Sequence, residues 1–109
     1  MKQGKRELRT YVGEWVNDCK EGYGVFYYPN GVIYRGEWKQ NKRCGKGRID
    51  LENGDYYDGD WLEDKKSGFG SYFCSNGNSY EGLWMDDLKE GPGRFFYAST
   101  GKVYVYDED

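Results

Sequence analysis

Residues 34–56 read YRGEWKQNKRCGKGRIDLENGDY, and residues 57–79 return to the same frame as YDGDWLEDKKSGFGSYFCSNGNS. In each, Tyr is followed two residues later by Gly and four later by Trp, then by Gly-x-Gly and by a closing Gly. The frame extends in both directions. Tyr11, Tyr34, Tyr57 and Tyr80 are spaced by 23 residues, and Tyr104 follows after one extra. Trp15, Trp38, Trp61 and Trp84 keep the same step, as do the pairs Gly22/Gly24, Gly45/Gly47, Gly68/Gly70 and Gly91/Gly93. A period of this length marks a repeat architecture in which each unit buries its apolar side against its neighbours.

Tyr, Gly and Trp at positions i, i+2 and i+4 fall on one face of a β-strand. On a helix they would scatter, and each glycine would cost about 1 kcal/mol. Asn30-Gly31, Asn53-Gly54 and Asn76-Gly77 are strong type I′ hairpin signals, because both positions of that turn need positive φ. Thr100-Gly101 is a weaker fourth signal. A longer polar loop, such as Lys39 to Cys44, is expected to join the two strands within each unit. The fold predicted is all-β: an elongated single-layer antiparallel β-meander, or β-hairpin repeat solenoid, of about nine strands. First strands are expected near 10–15, 32–38, 55–61 and 78–84. Second strands are expected near 23–28, 46–51, 69–74 and 92–97, and a last one over 102–106. At roughly 4.8 Å per strand, four units span about 40 Å.

The expected organisation is an N-terminal cap over 1–10 and an array over 11–109. Its units are 11–33, 34–56, 57–79 and 80–103, with a partial fifth over 104–109. At the end of the chain Tyr106 and Glu108 stand where the frame has Gly and Trp, and Asp107-Glu108-Asp109 adds charge that blunts an edge strand. Glycines in the strands are expected to leave a floor on which rings lie and to let the sheet curve.

The aromatic face is the candidate interaction surface. Tyr11, Trp15, Tyr34, Trp38, Tyr57, Trp61, Tyr80 and Trp84 form two rows on it. Phe26, Tyr28, Tyr72 and Phe95 join them from the second strands, as do Ile49, Leu51, Cys74 and Tyr97. The bland reading is repeat-to-repeat packing. The functional one is that part of the face stays open, since exposed aromatic patches mark binding sites. The opposite face, with Glu14, Arg35, Glu37, Asp58, Asp60 and Glu81, reads as solvated. Lys20, Arg43, Lys66 and Lys89 each precede a Gly-x-Gly by two residues and are expected to line one edge, as a solvated row or as lipid-headgroup contacts. Asp18, Asn41, Asp64 and Asp87 lie two residues earlier and read as turn residues bonded to local backbone.

This pattern, covering residues 11–104, resembles the MORN (membrane occupation and recognition nexus) repeat family. The residues before Gly-x-Gly, Glu21, Cys44, Ser67 and Glu90, depart from the histidine common in that family. The resemblance implies a twisted sheet curled into a half-pipe. It also implies a cytoplasmic setting in cilia, flagella or cytoskeletal scaffolds, with a myosin tail as one kind of partner. Some relatives tether membranes, and others flank lipid-kinase or methyltransferase domains.

Composition narrows the chemistry. The 109 residues carry 16 Lys plus Arg against 19 Asp plus Glu, a net charge of −3, unlike a general nucleic-acid binder. Aromatic residues make up 19%, which argues against disorder. Histidine is absent, removing the commonest general base and metal ligand. Cys19, Cys44 and Cys74 are odd in number and have no CxxC spacing, so they read as reduced thiols. No nucleophile–base pair is evident, and Gly-x-Gly without a following helix is not a phosphate loop. The expected function is non-catalytic, with no cofactor and no metal. The chain would grip an extended or helical protein segment in an aromatic-lined groove. Peripheral phospholipid association is the alternative, and unpaired end strands open a route to an end-to-end homodimer.

Overall fold

Tyr, Trp and β-branched residues alternating between turn residues give nine strands in the computed structural model, which describes residues 10–106. They are β1 (Tyr11–Val16), β2 (Cys19–Tyr27), β3 (Ile33–Lys39), β4 (Lys42–Asp50), β5 (Tyr56–Leu62), β6 (Lys65–Phe73), β7 (Ser79–Met85), β8 (Leu88–Tyr97) and β9 (Lys102–Tyr106). Each strand pairs antiparallel with its neighbours in the chain, in the order β1 to β9, so the sheet is one open layer. The body measures 52 × 27 × 15 Å. The all-β meander expected from the period is the fold observed. The expected cap over 1–10 lies, apart from Thr10, outside the described residues.

The turns differ from expectation. The second strands begin about four residues early, at Cys19, Lys42, Lys65 and Leu88, because the connection is a two-residue turn and not a six-residue loop. Both central residues have positive φ at Asn17-Asp18 (51° and 64°), Gln40-Asn41 (49° and 69°), Glu63-Asp64 (49° and 71°) and Asp86-Asp87 (48° and 72°). Those values belong to the type I′ hairpin. Of the three Asn-Gly pairs, Asn30 and Gly31 both have positive φ, at 71° and 83°. At the other two only Gly54 (97°) and Gly77 (99°) do. There the chain closes with Gly54 N–H donating to the Leu51 carbonyl at 3.1 Å and Gly77 N–H to that of Cys74 at 2.9 Å, the donor glycine itself being left-handed. The extra residue of the fourth unit lengthens the turn: four residues, 98–101, separate Tyr97 from its partner Lys102, against three between Leu51 and Asp55.

Within each unit the register slips once. Gly36 faces Gly47 and Trp38 faces Arg43, so the first strand advances two residues while the second advances four. The slack is a bulge at Gly45, φ 68°, and it recurs at Gly22, Gly68 and Gly91. A positive-φ glycine is the residue such a bulge selects.

The core is a single stack of rings. Tyr34 lies over the paired backbones of Gly36 and Gly47, where a Cβ on either glycine would overlap its ring or hydroxyl. The floor therefore carries the tyrosine of its own unit. Its hydroxyl donates to the Glu37 carbonyl at 2.9 Å. Tyr11 and Tyr57 repeat this bond to Glu14 and Asp60. Trp38 reaches back, its Nε1–H donating to the Gly24 carbonyl of the previous unit at 3.2 Å, and Trp61 and Trp84 do likewise toward Gly47 and Gly70. Each of the first three tyrosines thus sits between two tryptophans. Tyr34 meets Trp38 at 5.1 Å and Trp61 at 5.3 Å, with ring planes 82° and 87° apart. Tyr11 and Tyr57 make the same two contacts. Edge-to-face pairs of this kind add about 0.5–1.5 kcal/mol each beyond the area they bury.

Candidate functional site

The ring stack divides the predicted aromatic surface into core and rim. Tyr34, Trp38, Tyr57, Trp61, Tyr80 and Trp84 are all 5% exposed or less, so their area is spent on one another and little is left for a partner. Phe26, Tyr28, Tyr72 and Phe95 are half-buried and form the rim, with Leu51 and Val32. Phe26 and Tyr28 lie 4.4 Å apart, and Phe95 stacks with Tyr97 at 6.4 Å. Tyr11 is half-buried against the first core ring, while Trp15 is 49% exposed.

The basic row stands beside the tight turns, at the second position of β2, β4, β6 and β8. Lys20, Arg43, Lys66 and Lys89 point across the aromatic face. Lys20 Nζ stands 5.3 Å from the Trp38 ring, Arg43 Cζ 4.6 Å from Trp61, Lys66 Nζ 5.6 Å from Trp84, and Lys89 Nζ 5.2 Å from Trp84. Their stems cover ring surface while their charged ends stay near water. The turn residues serve them. Asp64 Oδ1 accepts from the Arg43 backbone N–H at 3.1 Å and from Arg43 Nε at 2.6 Å, while Asp64 N–H donates to the Arg43 carbonyl at 3.0 Å. Asn41 does the same for Lys20 and Asp87 for Lys66. These side chains were expected to bond local backbone. Instead each staples its own turn to the preceding unit, and three of the four basic residues are neutralised or solvated within the array.

Electrostatics follow from this packing. Burial pushes the Tyr34 and Tyr57 phenols far above their ordinary value. Tyr72 is pushed up to about 12 by burial and then by the bond its hydroxyl donates to Asp55. Burial lowers Lys20. For Asp64 burial works upward, but the side-chain and backbone bonds from Arg43 outweigh it and hold the carboxyl below its usual range.

The opposite face carries features that the sequence reading passed over. Its middle is a charged lattice: Arg35 and Arg48 both reach Asp50 at 2.9 Å, Lys46 pairs with Asp60, and Arg48 lies 3.8 Å over the Tyr56 ring. Toward the C-terminal end the same face turns apolar, with Phe69, Leu83, Met85 and Leu88 exposed. The signal was present in the repeat alignment, where Leu83 takes the place of Glu14, Glu37 and Asp60.

The three cysteines are free, and no group of His, Cys, Asp and Glu able to hold a metal occurs among the described residues. Among the described residues no helix is long and apolar enough to cross a membrane. Comparison with curated proteins returns no match. The family model for the MORN repeat matches four times in succession, over residues 11–33, 34–56, 57–79 and 80–102. The MORN repeat is a non-enzymatic repeat module. With four consecutive matches across most of its length, and with the glycine floor and ring stack that give those matched positions their physical meaning, this chain belongs to the MORN repeat family.

Proposed function

We propose that the chain is a non-catalytic protein-interaction module that holds an extended or helical partner segment along its aromatic face, in a ciliary, flagellar or other cytoskeletal assembly. The observation that carries this reading is a single-layer sheet whose half-buried aromatic rim, Phe26, Tyr28, Tyr72 and Phe95, has no second layer above it among the described residues. A partner laid along the stack gains area against rings already ordered by their neighbours, so little side-chain entropy is lost on binding. The cytoskeletal setting rests on family resemblance. Phospholipid association draws less support, because Lys20, Arg43 and Lys66 are engaged by Asn41, Asp64 and Asp87.

The test is affinity purification from the native cell with the wild-type chain and a Tyr28→Ser/Tyr72→Ser variant. Loss of a cytoskeletal partner from the variant, with the β-sheet circular-dichroism signal retained, supports the reading. Equal recovery of partners by both chains would overturn it, as would salt-sensitive sedimentation with anionic vesicles in place of protein binding.

A further inference from the structure

We propose that the face opposite the ring stack, over β6 to β9, docks a basic amphipathic protein segment. This surface is separate from the aromatic face and independent of what binds there. Equivalent positions differ between the units. Where the second unit has Glu37, Lys39, Lys42 and Lys46, the fourth has Leu83, Met85, Leu88 and Pro92. The second unit uses those positions for solvated charge and ion pairs. The fourth leaves them apolar and open, with Leu83 42% and Leu88 66% exposed.

The patch is continuous across four strands. Phe69 faces Leu83 across β6 and β7, Met85 faces Leu88 across β7 and β8, and Phe96 faces Val103 across β8 and β9. A shallow cleft of 260 Å³ runs through it, walled by Phe69, Pro92 and Val105 and closed by the Glu81–Arg94 ion pair. A contiguous apolar surface rimmed by polar groups marks an interaction site.

Charge selects the occupant. Residues 57–109 hold eleven acidic and five basic side chains, whereas residues 1–56 hold eight and eleven. Around the patch stand Glu81, Asp86, Asp87 and Glu90, all exposed or half-exposed; Glu81 is drawn to Arg94 and Asp87 to Lys66, while Asp86 and Glu90 make no ion pair among the described residues. An acidic rim around aliphatic and aromatic side chains complements a segment with apolar residues on one face and Lys or Arg on the other. The same rim repels an anionic membrane.

The full chain is titrated with a fluorescein-labelled Leu/Lys amphipathic peptide, and binding is read by anisotropy. Binding is expected to weaken about tenfold or more in Leu83→Gln/Met85→Gln/Leu88→Gln, which changes no charge, and similarly in Asp86→Asn/Glu90→Gln. The substituted side chains are at the surface, so the circular-dichroism spectrum is expected to stay that of the wild type. A Glu37→Gln/Asp58→Asn variant removes equal charge elsewhere on this face, and Tyr28→Ser/Tyr72→Ser alters the aromatic rim. Both should bind the peptide like the wild type. Equal loss in Glu37→Gln/Asp58→Asn would reduce the binding to diffuse electrostatics and overturn the proposal. So would equal affinity for a Leu/Glu peptide, preference for anionic vesicles, or self-association of the chain through Leu83 and Leu88.

Discussion

Trp15 and Trp38 end nearly identical strands, Tyr-Val-Gly-Glu-Trp and Tyr-Arg-Gly-Glu-Trp, yet Trp15 is 49% exposed and Trp38 only 4%. Local sequence does not separate them. The difference is that Trp38 has Tyr11 and the Gly24 carbonyl of the preceding unit to pack and bond against, 5.6 Å and 3.2 Å away. Tyr80 and Tyr104 show the converse at the other end: Tyr80 is 3% exposed between Trp84 and Phe95, and Tyr104, beyond the last full unit, is 53% exposed. Burial in this array is a property of junctions, and the same residue is core or surface according to what stands beside it.

That contrast is broken most directly by deleting rings at a junction and at an end. Trp61→Ala removes a buried indole touching Tyr34 and Tyr57, and should cost about 3–5 kcal/mol in urea denaturation. Trp15→Ala removes one that is half in water and should cost about 1–2 kcal/mol. Equal losses would mean that stability is not lodged in the junctions. For the same reason Trp38 and Tyr57 are poor sites for testing partner binding, since their loss would unfold the sheet that presents the rim.

The glycines sharpen the comparison. A Cβ at Gly47 would meet the Tyr34 ring, whereas one at Gly101, in the last turn, has nothing within 4 Å. Gly47→Ala should cost about 3 kcal/mol through overpacking. Gly101→Ala carries only the penalty of a side chain at φ 73°, about 1 kcal/mol. Thermal midpoints of the two variants give the check, and removing the overlapping ring in Gly47→Ala/Tyr34→Leu should recover none of the stability lost with the stack.

The same dependence on neighbours explains what was legible beforehand. The 23-residue step placed the first strands to within about a residue, and Tyr, Gly and Trp two apart put the ring rows on one face, because both facts are local to a strand. The tight turns were hidden. Gln40-Asn41 and Glu63-Asp64 contain no glycine, while Asn53-Gly54 and Asn76-Gly77 carry the familiar type I′ signal at turns that close with another geometry. Reading Lys39 to Cys44 as loop sets Arg43 outside the sheet and hides its position over the Trp61 ring. Nor could the staples, which join residues 21 apart in the chain and exist only once register is known.

Smaller effects than those of the buried rings lie in those staples and in pH. Asp64→Ala removes the acceptor for two Arg43 bonds at a partly exposed site, so solvent screening limits the loss to about 1–2 kcal/mol. Asp18, at the same position in the first unit, makes no such bond among the described residues, and Asp18→Ala should leave the midpoint nearly unchanged. Because the folded array holds the Asp64 carboxyl below its unfolded pKa, that contribution is complete above about pH 4. It fades as pH falls toward the folded value, since the unfolded chain then binds the proton first. Asp55, held down by the Ser75 N–H and the Tyr72 hydroxyl, titrates in the same sense. The thermal midpoint should therefore fall below pH 4, and fall less steeply in Asp64→Ala. A parallel acid limb in the variant would place the acid sensitivity in carboxylates away from the junctions.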